Sequence, residues 1–179
     1  MRELNHTHIF ELPLQSDNGL DLGVLTDIAR SCSNDQELKL AAARLGNIYT
    51  GKAPYASKPA LLHGDFYPGS WLGTLNDAAN VKVIDPEFAF VGPAEFDVGV
   101  CIAHLLFAGM TLQQALASIQ SYQKPVGFSQ PLAEGFAGIE LLRRLLGVAQ
   151  LPLPETLSTE AKLNWVDTGR RLVLASAHA

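Results

Sequence analysis

Strand-like patterning is confined to one short window of this chain. Ala60–Leu62, Trp71–Leu75 and Val81–Ile84 read as short apolar runs, the last two joined by a turn around Asn76–Asn80. The sequence on either side has helical spacing or loop chemistry. The plan is two helices, a small β region carrying loops, and then four helices. That makes an α+β fold, mainly helical.

The helices have recognisable ends. Residues 1–19 read as an irregular or extended lead-in closed by Asp17-Asn18-Gly19, and Leu20–Arg30 as a short helical pattern. Asn34–Tyr49 follows, with Asn34 placed as N-cap and Glu37 three residues on. Gly51 to Pro59 is a loop, and Gly92-Pro93 breaks the chain after the β region. Helices are then expected at Ala94–Ala108, Leu112–Tyr122, Pro131–Gln150 and Ser158–Ser176, with Thr111 and Ser158 as caps.

Composition narrows the function classes. At 179 residues, 47% hydrophobic and 17% charged, the chain is expected to form one domain over 1–179 with a packed core. A net charge of −5 and the lack of a Lys/Arg-rich run argue against nucleic acid as a partner. Cys32 and Cys101 form no CxxC pair, which argues against zinc. The N-terminus lacks the pattern of a signal peptide. Val98–Met110, the most apolar stretch, is too short to cross a bilayer. A soluble, cytoplasmic protein with no membrane partner is expected.

Two stretches carry chemistry. In Leu61–Leu72, LLHGDFYPGSWL, Asp65 follows an apolar strand and precedes a Pro68-Gly69 turn, so its carboxylate is fixed in place. In Val81–Gly99, VKVIDPEFAFVGPAEFDVG, Asp85 and Glu87 are two residues apart, and an extended segment would face both to one point. Two hard oxygen ligands with positions left for water and phosphate suit Mg²⁺. An Asp on a loop, a short hairpin and then an acidic pair is the layout of a kinase catalytic lobe. One carboxylate orients the acceptor hydroxyl or takes its proton, and the later ones hold the metal. A third stretch, Gly46–Lys52, mimics a phosphate-binding loop. It lacks the hydroxyl at Ala53 and follows a helix, so it reads as a helix end closed by glycine.

His63-Gly64-Asp65 followed by Asp85-x-Glu87 resembles the aminoglycoside phosphotransferase and choline kinase family of small-molecule kinases, which has a protein-kinase-like fold. Ile84–Phe90 with Gly92-Pro93 and Phe96-Asp97, the Gly69-Ser70 pair, and Leu142-Arg143-Arg144 with Gly147 are similar to its methylthioribose kinase branch. The resemblance implies ATP and Mg²⁺ as cofactors and a small-molecule substrate, a sugar or an amino alcohol. It implies Asp65 as catalytic base, with Asp85, Glu87 and Ser70 toward the metal. Arg143, Arg144 and Tyr67 would lie toward the substrate, and His63 and Asp97 would support the catalytic loop.

Helical geometry separates the two arginines. Phe136, Ile139, Leu142 and Leu146 make one apolar stripe; at about 100° per residue Arg143 lies beside it and Arg144 nearly opposite. Arg144 would then form a surface pair with Glu140 four residues earlier, leaving Arg143 for the site. His104 reads as a satisfied core histidine, and Trp71 and Phe88 as packing. Phe66-Tyr67-Pro68 and Glu95 depart from the branch pattern on the substrate side. Nothing before Leu61 alternates like the N-terminal nucleotide lobe of such kinases. The chain therefore reads as the C-terminal lobe only, with that lobe or a second copy as a candidate partner.

Overall fold

The computed structural model describes residues 2–74, 77–150 and 157–177. Helix α1 (Arg2–His6) runs into a π-helical turn at Thr7–Glu11 and a tighter turn at Leu12–Leu14. Helices α2 (Thr26–Asn34) and α3 (Gln36–Thr50) follow, then strands β1 (Ala60–Leu62), β2 (Trp71–Thr74), β3 (Asp77–Val83) and β4 (Phe90–Gly92). Helices α4 (Glu95–Phe107), α5 (Leu112–Ser118), α6 (Gln130–Leu146) and α7 (Thr159–Ser176) complete the order. Among the described residues no helix is long and apolar enough to cross a membrane.

The centre of the fold is α6. Ser129 caps it by accepting from the Leu132 amide, and Pro131 fits its first turn. Leu132, Phe136, Ile139, Leu142, Leu145 and Leu146 enter the larger core with Leu38, Leu45, Tyr49 and Phe96. Ala133, Ala137 and Leu141, on another side of the same helix, enter a second cluster with Ile102, Leu106 and Leu172. Helices α4 and α7 pack against it closely. A Cβ at Gly99 of α4 would lie 2.6 Å from the Ala133 carbonyl oxygen, and one at Gly138 would lie 2.5 Å from that of Gly169 in α7.

Several expectations need correction. The lead-in is helical rather than irregular, because Ile9, Phe10 and Leu14 turn inward and are buried. Helix α3 starts after Asp35, whose carboxylate accepts from the Leu38 amide at 3.0 Å; Asn34 ends α2 instead. The Asp35 carboxylate also pairs with Arg170 of α7 at 2.6 Å. Helices α5 and α6 stop at Ser118 and Leu146, short of Tyr122 and Gln150. Gly51 does end α3, in the left-handed conformation that closes a helix.

The β region contains two antiparallel pairs. β2 pairs with β3, matching Trp71 to Val83 and Leu72 to Lys82. β3 begins at Asp77, so Asp77–Asn80 are strand where a turn around Asn76–Asn80 is expected; Leu75 and Asn76 lie outside the described residues. The second pair joins β1 to β4, with Leu62 opposite Phe90 and Ala60 opposite Gly92. This places the start of the Asp65 loop beside the end of the Asp85–Glu87 turn.

Candidate active site

Asp65 leaves β1 on a loop held by its backbone. The Asp97 carboxylate, in the first turn of α4, accepts from the His63 amide at 2.6 Å and the Gly64 amide at 3.0 Å. Burial disfavours its charge and pushes the Asp97 carboxyl above its ordinary range, against the pull of those two amides. Gly64 has φ +86°, and a Cβ there would sit 2.3 Å from the Phe88 carbonyl oxygen. Only glycine permits both the conformation and the approach.

The loop is also tied to the acidic turn. His63 Nδ1 accepts from the Asp65 amide, so Nε2–H donates to the Ile84 carbonyl at 2.7 Å. The Ile84 amide donates to the Ser70 carbonyl at 2.9 Å. Ser70 is buried, and its hydroxyl donates to the Asp65 carbonyl at 3.2 Å. It is therefore tucked beneath the loop rather than presented as an open ligand.

Asp85 and Glu87 do not sit on an extended segment. Asp85 is left-handed, with φ 65° and ψ 51°, and Pro86–Phe88 form one tight helical turn. Proline at the start of that turn fixes its entry. Asp85 is the only non-glycine residue with positive φ among those described. Both carboxylates are exposed, and among the described residues neither has an ion pair. The described residues contain no group of three or more His, Cys, Asp or Glu side chains arranged to hold a metal. Two unpaired carboxylates fit Mg²⁺, which usually completes its shell with water and phosphate oxygens.

The arginine pair corrects the helical-wheel reading. Arg144 and Glu140 are both buried and make no surface pair, because α6 is packed on more than one face. Arg144 Nε donates to Glu140 Oε1 at 2.5 Å, and its Nη2 donates to Asp65 Oδ1 at 2.8 Å. Arg143 Nη1 lies 2.9 Å from Glu140 Oε2 and 3.5 Å from the same Asp65 oxygen. Its Nε is buried without a hydrogen-bond partner among the described residues. Both arginines thus reach Asp65, and Arg144 makes the shorter contact. Tyr67 lies between His104, 4.6 Å away ring to ring, and the Arg144 guanidinium, 5.2 Å from its ring.

Glu140 and His104 were not picked out as site residues by sequence. His104 Nε2 lies 3.2 Å from Glu140 Oε1. Burial opposes charge on Glu140, but Arg143, a hydrogen bond from His104, and Arg144 together hold its carboxyl far below the usual range. Burial also opposes charge on Arg143, and is outweighed by Glu140 and Asp65, which push its pKa up. The available signal was a lone acid between Ile139 and Leu141 with arginines three and four residues on.

Glu95 is corrected too. It is fully buried rather than substrate-facing, accepting from Ser57 Oγ at 2.7 Å and the Ser129 amide at 2.8 Å. Trp71 packs on Phe66 at 5.2 Å, and its buried Nε1–H has no partner among the described residues. A cavity of about 380 Å³, lined in part by Leu61, Phe66, Asp97, Val98, Cys101 and Tyr122, opens beside the loop.

Sequence comparison relates the chain to known proteins. The chain is 34% identical to a methylthioribose kinase of Exiguobacterium sibiricum over 173 residues, covering 79% of this chain and 42% of that protein. It is 32% identical to a methylthioribose kinase of Pectobacterium carotovorum over 206 aligned positions, covering 90% of this chain and 49% of that protein. A third, from Geobacillus thermodenitrificans, is 29% identical over 80% of this chain and 44% of its own length. The chain thus spans less than half the length of these relatives. The pattern of the phosphotransferase enzyme family matches residues 11–136, most of the chain, and the chain belongs to that family.

Proposed function

We propose that this chain is the C-terminal, acceptor-binding lobe of a small-molecule kinase. It would move the γ-phosphoryl group of ATP to a hydroxyl of methylthioribose or a related sugar. The observation that carries this reading is the convergence at Asp65. Its backbone is pinned by Asp97, its side chain is held by Arg143 and Arg144, and His63 ties its loop to the exposed Asp85–Glu87 turn.

In this reading Asp65 accepts the proton of the acceptor hydroxyl as the new oxygen–phosphorus bond forms. The bond from the γ-phosphorus to the bridging oxygen breaks, and ADP leaves with that electron pair. Asp85 and Glu87 would hold Mg²⁺, whose bound charge neutralises phosphate oxygens. Arg143 and Arg144 would oppose charge developing on the transferred group. Two buried cations beside Asp65 disfavour a cationic aminoglycoside or choline as acceptor.

The test is phosphate transfer from Mg·ATP to methylthioribose and to a panel of sugars and amino alcohols. It compares this chain, and this lobe joined to a relative's N-terminal half, with their Asp65→Asn forms. Expected is transfer to the thiosugar by at least one form, reduced by about 10² or more in the variant. Transfer unaffected by Asp65→Asn would overturn the base assignment. A preference for a cationic acceptor would overturn the sugar.

A further inference from the structure

Among the described residues Glu140 makes no hydrogen bond to Asp65, yet both arginines that reach Asp65 also pair with Glu140. Its side chain is 2% exposed and receives His104, Arg143 and Arg144 at 3.2, 2.9 and 2.5 Å. The two arginines continue to one atom, Asp65 Oδ1. Among the described residues no hydrogen bond reaches Asp65 Oδ2, and both arginines contact Oδ1. The carboxylate is therefore asymmetric, with one oxygen clamped and one open.

Charge balance gives this asymmetry a cause. Two guanidinium groups face two carboxylates, Asp65 and Glu140, in a largely buried setting. Remove one carboxylate and both cations are left to the other, where low dielectric makes the attraction strong. An Asp65 gripped by both arginines through both oxygens would be a poor proton acceptor. Glu140 lies deeper, and His104 fixes one of its oxygens from α4, so it holds the arginines back at a set distance. Tyr67, packed between His104 and Arg144, braces the same geometry two residues after Asp65.

We propose that Glu140, fixed by His104, is a positioning residue that divides the arginine pair between itself and Asp65 Oδ1 and so keeps Asp65 Oδ2 open as the proton-accepting oxygen. The proposal rests on the assignment of Asp65 as base. Its structural half, that Glu140 governs the environment of Asp65, can be measured without turnover.

The test uses NMR of the whole chain: the Asp65 carboxyl carbon resonance and the hydrogen exchange of the Arg143 and Arg144 Nε–H groups. Wild type is compared with Glu140→Gln, Glu140→Asp and His104→Gln. Folding is checked by circular dichroism and thermal melting. In Glu140→Gln the Asp65 resonance should move and Arg144 Nε–H should exchange about tenfold faster, the loss of one charge-assisted hydrogen bond. Glu140→Asp should restore both in part. His104→Gln leaves the arginines paired, keeps the proposal testable if Glu140→Gln fails to fold, and should move the Asp65 resonance in the same direction by less. An Asp65 signal unchanged in folded Glu140→Gln, or in His104→Gln if only that variant folds, overturns the proposal. Where an active form is in hand, Glu140→Gln should lower kcat with little change in KM for the acceptor, and an equal loss in both would overturn it. Absence of transfer with the NMR coupling intact counts against the kinase reading alone.

Discussion

Two carboxylates brace the Asp65 loop, Asp97 directly and Glu140 through two arginines, and they do so by different physics. Asp97, at the start of α4, grips two backbone amides and has no cation in hydrogen-bond contact among the described residues. Burial wins there, and its carboxyl is pushed up. Glu140, inside α6, is more deeply buried yet is pushed the other way, because three side chains give it hydrogen bonds and two of them are arginines. Burial alone therefore does not decide the state of an acid; the nature of its donors does. A backbone brace tolerates loss of charge, whereas a guanidinium brace requires it.

Truncation should expose that contrast most strongly. Glu140→Ala strands the buried Arg144 and the partly buried Arg143 and is expected to cost about 3–5 kcal/mol in urea unfolding. Asp97→Asn keeps one carbonyl acceptor for the loop amides and should cost no more than about 1–2 kcal/mol. Equal losses would break the distinction.

A pH series sharpens it. The folded-state pKa of Asp97 is raised, so its linkage contribution is fully present below its unfolded value, about 3.9, and is lost as pH rises through the folded value. Glu140 is the reverse: its contribution is present above about 4.3 and is lost as pH falls toward a much lower folded value. The stability advantage of wild type over Asp97→Asn should grow from pH 7 to about 4. Its advantage over Glu140→Gln should hold across that range and shrink only below it. Parallel trends in the unfolding midpoints would contradict the opposite shifts.

The smallest effect is expected at the acidic turn, which neither brace reaches directly. Asp85 holds a left-handed conformation that glycine adopts without cost. Asp85→Gly should raise stability by up to about 1 kcal/mol while removing a proposed metal ligand. A loss of stability would mean that the carboxylate supports the fold.

The sequence reading located the helices better than it located their surroundings. Thr111 and Ser158 cap as expected because capping is local: each accepts from an amide three residues on. The strand at Ala60–Leu62 was legible for the same reason, as an apolar run entering a turn. Its partner, Phe90–Gly92, was hidden behind the Gly92-Pro93 break, since pairing with β1 is a long-range event. Arg144 was misplaced because a wheel drawn from one stripe treats the far side as solvent. On α6 the side that carries Arg144 faces the Asp65 loop, where it meets Asp65 and Tyr67. Asp85 and Glu87 were named as a pair from their spacing, but the left-handed residue and the proline turn fold that spacing into a bend.

The packing of Trp71 on Phe66 makes the loop optically visible. The chain has two tryptophans, and the other, Trp165, lies against Phe107 on the α7 side. With Trp165 replaced by phenylalanine, the remaining indole packs directly on Phe66, the residue beside Asp65. Its emission then reports the state of the loop in real time, with no label attached and no turnover needed.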